Sequence, residues 1–193
     1  YKYTFKLFLF ISFYSSAQEL TTSKEEILLE IEKSSGTFKD VAHDIWELAE
    51  LGFLEEKSSA LLRKVLKKEG FSITTGVAGM PTAFIAEYGK GGPIIALLSE
   101  YDALPGMSQA AVPEKKKLKG KSAGHACGHH LFGAGSLAAA VHIKNWLRDT
   151  KTPGTIRLYG TPAEEGGGGK VYMARAGLFD DACRRRNWNV ANS

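Results

Sequence analysis

Cysteine and histidine are scarce in this chain, with 2 and 5 copies in 193 residues. Cys127 and Cys183 allow one disulfide at most, and the sequence leaves that pairing open. A long apolar run is also missing near the N terminus. The stretch there covers about eight residues, too short to span a bilayer, which excludes stable membrane anchoring by it. The excess of positive charge is small, a net +4. Much of it sits in "PEKKKLKGK" (113–121), five lysines with no aromatic to stack a base, so the charge gives no reason to expect a nucleic-acid partner. Repeats and internal linkers are absent.

What is present begins with a leader. "YKYTFKLFLFISFYSSAQEL" places Lys2 and Lys6 ahead of the apolar stretch, and Ser15 and Ala17 just before Gln18. That order reads as a secretory signal over residues 1–17, cleaved near Ala17, and predicts an exported protein, periplasmic or secreted. Residues 18–193 have the composition of one globular domain with a core of its own. The chain opens on Tyr1 rather than Met, which reads as a piece of a longer protein.

Periodicity supplies the elements. Ser23-Lys24-Glu25-Glu26 reads as a capping box that opens a short helix with Ile27, Leu28 and Ile31 on one side. Phe38, Val41, Ala42, Ile45, Leu48 and Ala49 form the apolar stripe of a second helix ended by Gly52. A third is expected from about Ser58 to Glu69, stopped by Gly70. Strands are expected at 71–75, 82–88, 93–99 and 154–160, and "PIIALLS" (93–99) reads as buried on both faces. A helix over 130–148, with Ala139, Ala140, Ile143, Trp146 and Leu147 inward, separates the last two strands. The final helix ends near Gly177.

Strand, helix and strand in that order make a βαβ unit with parallel strands and a right-handed crossover. Ligands of such units gather outside the carboxyl ends of the strands. "SEYDALPG", "GHACGHH" and "TPAEEGG" must meet there, bringing Glu100, Asp102, His125, Cys127, His129, His130, Glu164 and Glu165 to one rim. Cys127 and His129, flanking Gly128, suit Zn²⁺, which takes thiolate and imidazole at about 2.0–2.3 Å. Two adjacent carboxylates at a strand end repel unless a cation holds one and the other handles a proton, a division into ligand and general base. Asp102 reads either as a carboxylate that orients a ligand or as a turn cap. The lysines of 115–121 read as a solvated mobile loop or as an attractor for a substrate carboxylate.

"LLSEYDALPGMSQ", "GHACGHHLFGAGSLAAA" and "GTIRLYGTPAEEGGGGKVYMARAGLFDD" together resemble the metal-dependent amidohydrolases that include aminoacylases, indole-acetyl-amino-acid hydrolases and carboxypeptidase-G-type metallopeptidases. The resemblance runs from about Gly36 to Asp181. It implies an α/β fold: the N-terminal part of a catalytic domain with a central mixed sheet flanked by helices, its lid and dimerisation domain lying outside this sequence. It implies hydrolysis of the amide in N-acyl or N-aroyl amino acids of the p-aminobenzoyl-glutamate or dipeptide-like kind. It also implies a divalent metal cofactor, Zn or Mn, with two ions in the complete enzyme, and a complete enzyme that is a homodimer or hetero-oligomer. By position, Cys127, His129 and Glu165 match metal ligands and Glu164 matches the general base. Asp102 matches a carboxylate that accompanies the site. Glu100 stands where related di-metal peptidases use histidine, so it is a possible ligand only. Asn189 stands where a further ligand histidine is expected, and His130 where relatives carry Asn or Asp. The 193-residue chain alone is therefore expected to be catalytically inactive, a metal-binding fragment or a non-catalytic subunit being the alternative reading.

Overall fold

A computed structural model describes the backbone of residues 4–182 and the side chains of residues 24–182. The chain forms two compact units, residues 1–36 and residues 37–193. Cys183 and Asn189 lie outside the described residues.

Helix α1 runs without a break over Thr4–Leu48. Two helices were expected here, but no proline or glycine-led turn interrupts the chain, and Ser23 lies inside the helix rather than capping one. Leu28, Leu29 and Ile31, on the residue 1–36 unit, are exposed. No helix among the described residues is long and apolar enough to cross a membrane.

In the second unit, α1 stops at Leu48, ahead of Gly52, because Ala49 turns left-handed at φ +45°. Helix α2 (Glu56–Lys68) follows, then strands β1 (Ser72–Thr75), β2 (Phe84–Lys90) and β3 (Ile94–Ser99). The short strands β4 (Leu104–Pro105) and β5 (Ala123–Gly124) pair antiparallel. Helix α3 (His129–Thr150) leads to β6 (Gly154–Gly160), the irregular turn α4 (Glu164–Gly167) and the short helix α5 (Gly169–Arg175).

The main sheet has the order β1-β2-β6-β3. It is mixed: β2 runs antiparallel to β1 and β6, while β3 and β6 run parallel, Ile95 opposite Ile156 and Leu97 opposite Leu158. The parallel βαβ unit and the mixed α/β sheet are as expected from sequence. Burial along the strands is not. Strand β6, hydrogen-bonded on both sides, is the buried one, whereas β3 stands at an edge and exposes Ile95 and Leu98.

One sheet face packs under α1, α2 and α3, through Ile45, Leu62, Leu66, Leu137, Phe84 and Leu158. Full burial of each such side chain stabilises by roughly 1.5–3 kcal/mol. The other face carries a smaller cluster around Met80, Tyr159 and Met173. Helix α3 departs from its expected facing at Trp146, which is exposed, while Lys144 is buried and reaches Glu69 at 2.8 Å. The long stem of lysine lets Nζ meet its partner at the end of α2.

Candidate metal centre

The carboxyl ends of β3 and β6 lie side by side, Ser99 opposite Gly160. The chain leaves β3 into Glu100 and Asp102, and leaves β6 through Thr161–Ala163 into Glu164 and Glu165. The third contribution enters from β5. Gly128, at φ +88°, turns the backbone between Cys127 and His129 and starts α3. A residue with a Cβ is strained in that left-handed conformation, which is why glycine separates the two side chains.

Those three connections converge. One donor atom each from Cys127, His129 and Glu165 lie within 4.8 Å of one another. His129 is buried and clamped. Its Nδ1–H donates to Asp102 Oδ1 at 2.9 Å, and Asp102 Oδ2 accepts from the Glu165 backbone N–H at 2.8 Å. Asp102, itself buried, thus fixes the imidazole and the start of the glutamate segment together. On the far side of the ring, Nε2 faces three carboxylates: Glu100 at 3.1 Å, Glu164 at 3.8 Å and Glu165 at 3.9 Å.

The donor set fits a divalent cation. With Nδ1–H committed to Asp102, Nε2 is the ring atom left to face the carboxylates, and a cation among them would be held by nitrogen and oxygen together. Glu165 Oε1 is shut from water with no hydrogen-bond partner, a costly state for a carboxylate oxygen in the absence of a cation. The adjacent Glu165 carboxylate, then burial and the charges of Glu164 and Glu100, hold the Cys127 thiol above its ordinary pKa. A cation reverses that effect by favouring the thiolate. Cys127 is exposed and carries no disulfide.

Two histidines of the expected rim stand apart from the trio. His125 donates from Nε2 to the Ile45 carbonyl at 3.1 Å, and its ring packs on His130 with centroids 5.0 Å apart. Burial, with the charge of His130 adding, lowers His125 to about 4, so it is neutral at pH 7. Hydrogen bonding to the core end of α1 took His125 out of the cluster, and His130, the next residue of α3 after His129, is rotated about 100° around the helix from it.

Two further residues belong to the site that sequence reasoning missed. Lys170 Nζ lies 2.6 Å from Glu100 Oε1 and neutralises part of the carboxylate excess. Glu55, fully buried, accepts the Ala163 N–H at 2.7 Å, one residue before Glu164. A lone lysine after glycines and a glutamate in "FLEEK" carry no ligand spacing, so only tertiary structure reveals them.

The lysine-bearing excursion 106–122 is closed on itself. β4–β5 pairing pins its base, Gly106 N–H donates to the Ser122 carbonyl, and Ala110 N–H to the Lys116 carbonyl. Gln109 Nε2 donates to the Ala110 and Glu114 carbonyls while its Oε1 accepts from Lys116 N–H. This is a compact loop tied by its own hydrogen bonds, with Lys115, Lys116, Lys117 and Lys119 exposed to solvent. It walls a cavity of about 840 Å³ lined by Trp46, Met107, Val112, Lys115, Lys117 and His125. Residues 124–126 form the cavity's lining directly before Cys127.

Comparison with known proteins agrees with this fold. The profile of "Peptidase family M20/M25/M40" matches residues 96–190. One subunit of the p-aminobenzoyl-glutamate hydrolase of Escherichia coli is 43% identical over 160 residues, 82% of this chain and 33% of that protein. The Xaa-Arg dipeptidase of Mus musculus is 32% identical over 179 residues, 86% of this chain and 38% of that protein. Among solved structures, a dinuclear metal binding peptidase of the M20 family from Bacillus subtilis superposes with a TM-score of 0.67 at 28% identity, covering 78% of this chain and 41% of that one. The chain thus spans about a third of the length of the curated relatives it matches. The profile match, these relatives and the shared sheet lead to one conclusion: the chain belongs to the peptidase family M20/M25/M40.

Proposed function

We propose that, in the intact protein, this domain hydrolyses the amide bond of N-acyl or N-aroyl amino acids, p-aminobenzoyl-glutamate-like or dipeptide-like, around a metal held by Cys127, His129 and Glu165. The observation that carries the reading is the convergence of those three donors. A divalent cation bound there supplies Lewis-acid polarisation of the scissile carbonyl and lowers the pKa of a water. Asp102 keeps the His129 ring aimed, through Nδ1. Glu164, whose side chain is 41% exposed, has one carboxylate oxygen 3.8 Å from His129 Nε2 and room to turn. It is the general base: it takes a proton from water and delivers it to the leaving amine.

Substrate class follows from charge and surface. Lys115 and Lys117 form no ion pair among the described residues and stand with Trp46 and Met107 around the loop cavity. An anion with an apolar or aromatic body suits that lining. The names of the two relatives, a p-aminobenzoyl-glutamate hydrolase component and an Xaa-Arg dipeptidase, support an amide flanked by an amino-acid carboxylate. The thiolate favours zinc, whereas the carboxylates suit manganese. A second ion is supported by the dinuclear relative, with Glu100 within reach of the first site. The Escherichia coli relative is named as one subunit of its hydrolase, which supports assembly into a homodimer or hetero-oligomer.

Export belongs to the same proposal. The leader over residues 1–17 predicts an exported product that begins at Gln18, and mass spectrometry of its N terminus checks this; a product retaining residues 1–17 contradicts it.

The test of function uses the full-length protein and a panel of N-acyl and N-aroyl amino acids. Glu164→Gln is expected to keep bound metal at the wild-type level and to lose amide hydrolysis. Substantial turnover in that variant removes Glu164 from the base role. A second reading rests on the trio itself: with only three donors grouped among the described residues, the 193-residue chain alone binds metal without turning over substrate. Turnover by this chain above its Glu164→Gln control contradicts that reading.

A further inference from the structure

We propose that Glu55 is a positioning residue for the glutamate pair: its buried carboxylate holds the Ala163 backbone and thereby sets where Glu164 and Glu165 stand. Glu55 lies between α1 and α2, far in sequence from the donors, and it is fully buried. Its Oε1 accepts the Ala163 N–H at 2.7 Å and its Oε2 accepts the Thr82 hydroxyl at 3.1 Å. Burial raises its pKa against the lowering effect of these bonds. A carboxyl group is a costly occupant of such a place, so its bonds need a structural purpose.

Ala163 shows what that purpose is. It takes the left-handed conformation, φ +53° and ψ +48°, directly before Glu164. An alanine does not adopt that conformation unless its surroundings impose it. Two contacts from the segment 50–55 impose it. Glu55 captures the N–H, and Gly52 lies so close that a Cβ there would meet the Ala163 Cβ at 2.9 Å. The same segment braces the other connection of the site, since the Glu50 carbonyl accepts the Ala103 N–H at 2.8 Å next to Asp102. Leu51 bridges to Ala103 as well. The segment therefore ties the Asp102 and Glu164 connections to one support, and Glu55 is its polar contact with the glutamates.

This inference rests on the metal centre proposed above, and the experiment separates the two. Zinc affinity is measured by chelator competition on the 193-residue chain, with circular dichroism as the control for folding. Cobalt substitution gives a coordination spectrum that reports ligand geometry. Glu55→Gln keeps an acceptor oxygen for Ala163 and is expected to bind zinc within about threefold of wild type. Glu55→Leu removes the acceptor and is expected to weaken zinc by about 10-fold or more, with a shifted cobalt spectrum that keeps its thiolate band. Where the Leu variant does not fold, Glu55→Asp withdraws the oxygen by one methylene and is expected to show the same weakening. A folded Leu or Asp variant with wild-type affinity and spectrum overturns the positioning role alone. Absence of zinc binding in the wild-type chain overturns the metal centre and this inference with it.

Discussion

At the scale of single residues, the centre depends on how one imidazole is held. Asp102 bonds His129 Nδ1 through one oxygen and the Glu165 N–H through the other, so it couples two candidate ligands from different connections. Asp102→Asn keeps the shape but offers one acceptor oxygen where two are used. Metal affinity is expected to fall by about 10- to 100-fold with the fold retained, as read by chelator competition and circular dichroism. Unchanged affinity would mean that His129 is oriented by packing alone. The candidate donors were legible because their chemistry is concentrated: a thiol and an imidazole around one glycine, then a glutamate doublet. His125 and His130 show the limit of that reading. Proximity in sequence placed them at the rim, but one spends its ring N–H on the Ile45 carbonyl and the two rings pack together aside, tilted by 45°.

At the scale of elements, α3 and the strand ends decide how far apart the donors lie. Gly133 faces the outlet of β3, where an added Cβ would stand 2.7 Å from the Glu100 carbonyl. Gly133→Ala therefore pushes α3, which starts at His129, off the strand. Overpacking of this kind costs about 1–3 kcal/mol, to be read by denaturant unfolding, and zinc is expected to bind more weakly. A variant with wild-type stability and affinity would show that the helix yields freely. Lys144 makes a second check, since its side chain is 6% exposed and pairs with Glu69. Removing its partner by Glu69→Ala is expected to cost about 3 kcal/mol, whereas Lys144→Met is expected to be nearly neutral. Equal losses would contradict this account of the pair. The elements most clearly written in sequence are β6 and α3, expected at 154–160 and 130–148 and found at Gly154–Gly160 and His129–Thr150. Sequence did not disclose that α1 is continuous, because local capping signals at Ser23 give way to propagation where nothing stops the helix. Nor did it reveal that β3 is an edge strand, because neighbours in the sheet are set by tertiary pairing.

For the whole molecule, the donors come from the connections after β5 and β6, with Asp102 after β3 holding His129, so binding a metal links segments that are distant in sequence. A ligand that binds only the folded state stabilises it, by about 2.7 kcal/mol at a hundredfold excess over Kd. Zinc is therefore expected to raise the Tm of the 193-residue chain, and a chelator to return it to the metal-free value. An unchanged Tm at saturating zinc would contradict a centre that joins these segments.

The central claim is that one ion is gripped jointly by Cys127, His129 and Glu165. X-ray absorption spectroscopy of the zinc-loaded chain tests it most directly. The account predicts one sulfur at about 2.3 Å together with nitrogen and oxygen at about 2.0–2.2 Å, the sulfur vanishing in Cys127→Ser. A shell without sulfur in the wild-type chain, or one that Cys127→Ser leaves unaltered, would contradict it.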